Sequence, residues 1–211
     1  MSAMLKSCKA VAAAGLIVAA SGCGDMATDS RSPVQLTVLS MQAASGASPQ
    51  DFGGTLLSDV TTNVERTVDG QQVDVATIFN DLGAAEFAII LKDPGVDPAT
   101  PAAPTALNAV TITRYRVTYR RADGRNTPGV DVPYPFDSAF TVTIGIDGGS
   151  AGFELVRHSA KQEAPLRALA NNADIIATIA EVTFYGHDQA GNDVSATGTI
   201  GVNFGNFADP L

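Results

Sequence analysis

Alternation with a period of two, restarted repeatedly between short turn signals, is the pattern that most narrows what this chain can fold into. Residues 139–146 place Phe140, Val142, Ile144 and Ile146 on one side and Thr141 and Thr143 on the other. Residues 194–204 set Val194, Ala196, Ile200, Val202 and Phe204 against Ser195, Thr197, Thr199 and Asn203. In 85–92, Phe87, Ile89 and Leu91 oppose Glu86 and Lys92, and in 111–121, Tyr115, Val117 and Tyr119 oppose Arg114, Arg116 and Arg120. Successive side chains of an extended strand point to opposite faces, so each run reads as a strand with one dry face and one wet face. Antiparallel sheets with one solvated side have this pattern. Residues 175–185 differ, with apolar side chains on both parities (Ile175 and Ile179 against Ile176, Val182 and Phe184), and read as a central strand. Weaker strand patterns cover 34–40, 55–61, 73–79 and 153–156. Turn formers separate the runs: Asp69-Gly70, Asp123-Gly124, Asp147-Gly148-Gly149 and residues 188–193.

One helical pattern interrupts the strands. In 160–171, Pro165 stands where a first helical turn tolerates it, and Leu166 and Leu169 follow three apart. The 17 Asp against 5 Glu agree with a chain rich in turns and poor in helix. At 211 residues and 45% hydrophobic, the chain holds enough apolar material for a real core. The stretch 93–105 carries four prolines. The strand patterns before it are too few for an independent core, so it reads as a long loop within one domain rather than a linker. The expected fold is all-β: an antiparallel β-sandwich of about eight or nine strands, with one short helix before the last hairpin.

The first 22 residues read as an address. Lys6 and Lys9 precede an apolar run over 10–20. As a helix that run rises about 16 Å, at about 1.5 Å per residue, against a hydrocarbon core about 30 Å thick. A basic start, a short apolar core and small residues after it make a secretion signal. Ala20-Ser21-Gly22-Cys23 resembles the bacterial lipobox, departing only in carrying Ala20 where Leu is usual. The resemblance implies that Cys23 receives a diacylglycerol and becomes the new N-terminus. The other cysteine, Cys8, falls within the leader, so acylation removes the one thiol of the mature chain. Residues 23–32 then read as the lipidated cysteine and a flexible polar tether, and 33–211 as a single folded domain. The expected location is the cell envelope, lipid-anchored at the outer membrane, with the membrane engaged through the acyl chains.

The closing stretch 182–204 (VTFYGHDQAGNDVSATGTIGVNF) puts a D-x-A-G-N turn, Asp188 to Asn192, between two alternating strands. It resembles the last hairpin of bacterial immunoglobulin-like domains, and the whole mature chain is similar to uncharacterised bacterial lipoproteins with such a sandwich. The likeness implies architecture and no activity. The cysteine pair and buried Trp of antibody-type domains are missing.

The net charge of −9 points away from nucleic acid, whose phosphates call for a basic footprint. Without the two leader lysines, 11 basic and 22 acidic residues leave −11. HExxH, CxxC and phosphate-cradling glycine motifs do not occur, and the sequence reads as non-catalytic, with no cofactor. Asp188, Asn192 and Asp193 offer hard oxygens for calcium in one loop, without EF-hand spacing, and turn chemistry explains the same residues. Arg114, Arg116 and Arg120 share one strand face, and with Arg121 and Arg125 they concentrate the positive charge of an acidic chain. That face suits an anionic or acidic partner, or else cross-strand pairing with the protein's own Asp side chains. In the stiff loop 127–138, Tyr134 and Phe136 stand among Pro128, Pro133 and Pro135 as candidate contact residues. Together these features describe an interaction or structural module of the envelope, with an envelope protein or polysaccharide as partner. A ligand- or calcium-binding lipoprotein is the alternative, and a hydrolase built on His158 or His187 is a second.

Overall fold

The computed structural model of the protein describes residues 31–207 apart from 94, 96 and 98. The leader, Cys23 and residues 24–30 of the tether lie outside the described residues. The fold is all-β. In chain order the strands are β1 (Val34–Ala44), β2 (Thr55–Asp59), β3 (Thr62–Val68), β4 (Gln71–Thr77), β5 (Asp81–Leu91), β6 (Val110–Arg120), β7 (Phe136–Ile144), β8 (Gly149–Val156), β9 (Ile176–Asp188) and β10 (Asp193–Gly205). They form a three-stranded sheet β1-β5-β8, a five-stranded sheet β2-β10-β9-β6-β7 and a separate hairpin β3-β4.

The large sheets face each other across an aromatic core. Phe184 of β9 meets Phe87 of β5 edge-to-face with ring centroids 4.8 Å apart, and Phe153 of β8 at 5.3 Å. Two tyrosines of β6 tie the layers polar atom to polar atom. Tyr115 donates its hydroxyl to the Glu154 carbonyl at 3.0 Å and accepts the Glu154 N–H at 3.1 Å. Tyr119 donates to the Leu155 carbonyl at 2.6 Å. The inward sets read from alternation, Val194 to Phe204 on β10 and Tyr115, Val117 and Tyr119 on β6, are all buried.

Four features depart from the sequence expectation. The strands number ten, because the mostly polar β3, which carries no apolar rhythm, pairs with β4 through its backbone around the Asp69-Gly70 turn. Both turn residues have positive φ, 52° and 82°, the geometry that suits a two-residue hairpin. The sheets are not wholly antiparallel: β2 runs parallel to β10, from Gly201 opposite Thr55 to Gly205 opposite Asp59. The helix expected over 160–171 is instead one turn, His158–Lys161, and a 3-10 helix, Leu166–Asn171. Pro165 between them has no N–H with which to continue the first, while Leu166 and Leu169 are buried as their spacing implied. Finally, β9 is central in its sheet, yet its second apolar parity faces outward, with Ile175 and Ile179 exposed.

A buried ion pair holds one end of the molecule. Lys161 Nζ lies 3.0 and 2.9 Å from the two carboxylate oxygens of Asp81, with neither side chain more than 1% exposed. Asp81 also accepts the Gly46 N–H at 3.0 Å and the Ser58 hydroxyl at 2.6 Å. One carboxylate thus joins the β1–β2 loop, β2, β5 and the helical turn. Gly46 has no room for a side chain, because a Cβ would strike the Asn80 carbonyl. Removing one partner of a buried pair leaves an uncompensated charge, at a cost of about 3–5 kcal/mol. Lys161→Met is therefore expected to lower unfolding free energy by about that amount in urea denaturation. Phe184→Ala is expected to cost about 3–5 kcal/mol as a large-to-small core change. A loss below about 1 kcal/mol in either variant would contradict the packing described.

Candidate functional site

The outer face of the five-stranded sheet follows from the register. Arg114, Arg116 and Arg120 of β6 stand opposite Tyr185, Thr183 and Ile179 of β9. Asp137, at the start of β7, accepts from Arg114 Nη1 at 3.3 Å and from Arg116 Nη1 at 2.9 Å. The Arg114 guanidinium also lies over the Tyr185 ring, 3.8 Å from its centroid. Arg121 and Arg125 both grip Asp123, which their hydrogen bonds hold far below the usual carboxylate range. Arg120 is different: its one ion pair runs from Nε to Glu181 at 3.7 Å, with its side chain 64% exposed. Cross-strand pairing thus holds Arg114 and Arg116, local pairing in the turn holds Arg121 and Arg125, and Arg120 is held loosely.

The stiff loop after β6 lines a cleft together with this fifth arginine. Thr127 binds the loop to itself, its carbonyl accepting the N–H of Asp131 at 2.8 Å and its N–H donating to the Asp131 carboxylate at 3.1 Å. Between loop and strand end lies a cleft of about 240 Å³, with Thr118, Arg120 and Asn126 as its polar groups and Pro128, Val132, Pro133 and Pro135 on its walls. Tyr134 lays its ring against Gly129 and stays 56% exposed. Phe136, grouped with Tyr134 from sequence, is not a loop contact. It opens β7 and is buried, with the Arg157 guanidinium 3.8 Å from its ring centroid. An inward position on a strand takes the ring into the core.

The closing turn is capped by its own first aspartate. Asp188 Oδ1 accepts the N–H groups of Ala190 and Asn192, each at 2.9 Å, and Oδ2 accepts from Asn192 Nδ2 at 2.9 Å. Gly191 takes the left-handed φ of 80° that lets the chain close back. Burial pushes the Asp188 carboxyl up, but hydrogen bonds from Asn192, Ser32 and Ala190 outweigh it and hold the group below its ordinary value. The oxygens that calcium would use are facing N–H donors, and Asp193 sits exposed at the start of β10. Among the described residues, no three His, Cys, Asp or Glu side chains gather as a metal-holding group. His158 is committed to Asn80, whose Oδ1 lies 2.7 Å from its backbone nitrogen and 2.9 Å from Nδ1.

These features occupy opposite poles. Ser32 bonds Asp188, and Val110 pairs with Asp188, so the chain arrives at the turn pole. Arg120 pairs with Ile179 at the far end of β6, about 33 Å away at about 3.3 Å per residue. Sequence reasoning missed Asp81, Lys161 and Ser58, and also Asn126 in the cleft. No local signal marks the first three, because their partners lie tens of residues away, and Asn126 sits in a turn whose composition does not tell that it faces a cleft. Compared with known protein families, curated proteins and solved structures, the chain matches none.

The cap has a pH signature. A carboxyl held below its unfolded value contributes stability that is present above about pH 4 and is lost as pH falls through the folded value. Asp188→Asn is expected to be about 1 kcal/mol less stable at neutral pH, the difference between charged and neutral acceptors. The two proteins should converge below about pH 4. Equal denaturation midpoints at pH 7 would refute the charged cap.

Proposed function

We propose that this protein is a non-catalytic interaction module of the cell envelope, lipid-anchored through Cys23 at the outer membrane, with an immunoglobulin-like β-sandwich architecture. Two facing sheets around one aromatic core, with the chain crossing repeatedly between them, support the architectural part. The single observation that carries the functional part is polarity. The tether side of the domain and the Arg120 cleft lie at opposite ends of β6. An anchor at the turn pole therefore turns the arginine face and the cleft away from the lipid, toward an envelope protein or polysaccharide. Acidic groups outnumber basic ones two to one beyond the leader, which favours holding the body off an anionic bilayer rather than flat on it. The titratable groups found at its turns and core, Asp188, Asp81 and His158, serve as caps and ties, consistent with a scaffold rather than a catalyst.

Exposed ion pairs contribute about 0–1 kcal/mol each. The triple change of Arg114, Arg116 and Arg120 to Ser is therefore expected to leave the melting temperature within a few degrees of wild type, while abolishing a crosslinked envelope partner in intact cells. An unchanged crosslinking pattern would remove the arginine face from the reading. Mass spectrometry of the processed protein is expected to find a diacylglyceryl-modified cysteine at its N-terminus, and an unmodified Cys23 thiol would end the anchoring proposal.

A further inference from the structure

We propose that the cleft between the proline-rich loop and the end of β6 binds a short aliphatic carboxylate, held through its anionic head by Arg120 and Asn126. The inference rests on the interaction-module reading and names the chemistry of one part of that surface.

The arginine is the first observation. Arg114, Arg116, Arg121 and Arg125 each reach an Asp oxygen at 3.3 Å or less. Arg120 approaches Glu181 through Nε at 3.7 Å, beyond hydrogen-bond length. Among the described residues its two terminal nitrogens have no hydrogen-bond acceptor, and a guanidinium fork matches a carboxylate in bidentate geometry. In a chain of net charge −9, an arginine that lines a concave site and is this loosely neutralised stands out.

Asn126 supplies the second donor. Its Oδ1 accepts the Arg121 N–H at 2.7 Å, which fixes the carboxamide and leaves the Nδ2 group as the one still to be satisfied. Both polar ends therefore donate, and an anion with two acceptor oxygens satisfies both.

The rest of the cleft is apolar and prearranged. Pro128, Pro133 and Pro135 supply rigid aliphatic walls, with Val132 among them. Tyr119, also at the cleft, turns its side chain inward, where the hydroxyl is committed to the Leu155 carbonyl, so it offers the cleft no free side-chain donor. The loop's internal hydrogen bonds hold these walls before any ligand arrives, which lowers the ordering cost of binding. About 240 Å³ is smaller than the roughly 300–1,000 Å³ of drug-sized sites, and suits a body of a few carbons. Such a ligand is either a free short-chain acid or the carboxyl-terminal residue of a peptide.

The test titrates the full-length protein in detergent with hexanoate, N-acetyl-leucine and the neutral hexanamide, following the backbone amide signals of Thr118, Asn126 and Val132 by NMR. The expected result is a saturable shift with a carboxylate and about tenfold weaker binding, or less, of hexanamide, since hydrogen bonds to charged groups are the stronger ones. Tighter binding of N-acetyl-leucine than of hexanoate assigns the site to a peptide end, and the reverse assigns it to a free acid. Arg120→Gln, with its melting temperature checked against wild type, is expected to reduce hexanoate to the level of hexanamide. Absence of a saturable shift with both carboxylates, equal binding of hexanamide, or an Arg120→Gln variant that binds hexanoate unchanged would each overturn the proposal. An envelope partner still crosslinked by a protein that ignores all three probes would overturn the cleft assignment alone and leave the module reading standing. Carboxylate binding without any crosslinked partner would do the opposite.

Discussion

Asp81 and Lys161 are out of water together, and the arrangement of this end of the molecule follows from that. A buried carboxylate is tolerated only where its oxygens are satisfied and its charge is met. Here the donors come from three parts of the chain: Gly46 N–H, Ser58 Oγ and both contacts from Lys161 Nζ, converging on the first residue of β5. The helical turn at His158–Lys161 is placed by its ammonium group, and from there Leu166 and Leu169 plug the end of the core before β9 begins. The β1–β2 loop is tied by the same atoms, with Gly46 pressed against the Asn80 carbonyl and Asn80 in turn capping His158. Such a pair adds little net stability over an apolar substitute, but it specifies which segments meet, because each missing partner leaves a charge or a donor stranded in a dry site.

That specification reaches the cleft. Tyr119 lies close enough to Asp81 for the carboxylate's charge, together with the larger effect of burial, to push its phenol well above the ordinary range. The hydroxyl therefore stays protonated at all physiological pH values and remains a donor to the Leu155 carbonyl across the sheets. With the Tyr119 side chain fixed, its neighbours Thr118 and Arg120 point the other way, outward from the sheet. The inner tie and the outer site are thus two faces of the same three residues.

The arginine face shows how an acidic protein keeps concentrated positive charge on a strand. Two guanidiniums share Asp137, one of them also resting on Tyr185, and two others share Asp123. These contacts set rotamers and register more than they add stability. They also make the loosely held Arg120 conspicuous, since its neighbours on the strand and in the following turn are spoken for. The β3–β4 hairpin is the other part of the surface that stands by itself, with its residues exposed along nearly their whole length and its backbone paired only within itself.

Strand positions and their inward faces were legible in the sequence because a strand's side chains alternate with a period that does not depend on its partners. Nine of the ten strands carry that rhythm, and Val194 through Phe204 shows it most clearly. The tenth, β3, was illegible because a polar hairpin strand is made by backbone pairing and turn geometry rather than by burial. The Asp188 cap was legible as turn chemistry, since its donors Ala190 and Asn192 lie within four residues. What only the tertiary structure decided are choices of partner over long separations, β2 parallel to β10 and Lys161 beside Asp81 eighty residues away, together with Phe136 turned inward and the cleft that Asn126 and Arg120 line. The physical reason is the same in each case. Periodicity and turn propensity are local properties of the chain, whereas the satisfaction of a buried charge and the shape of a cleft exist only once distant segments have been packed together.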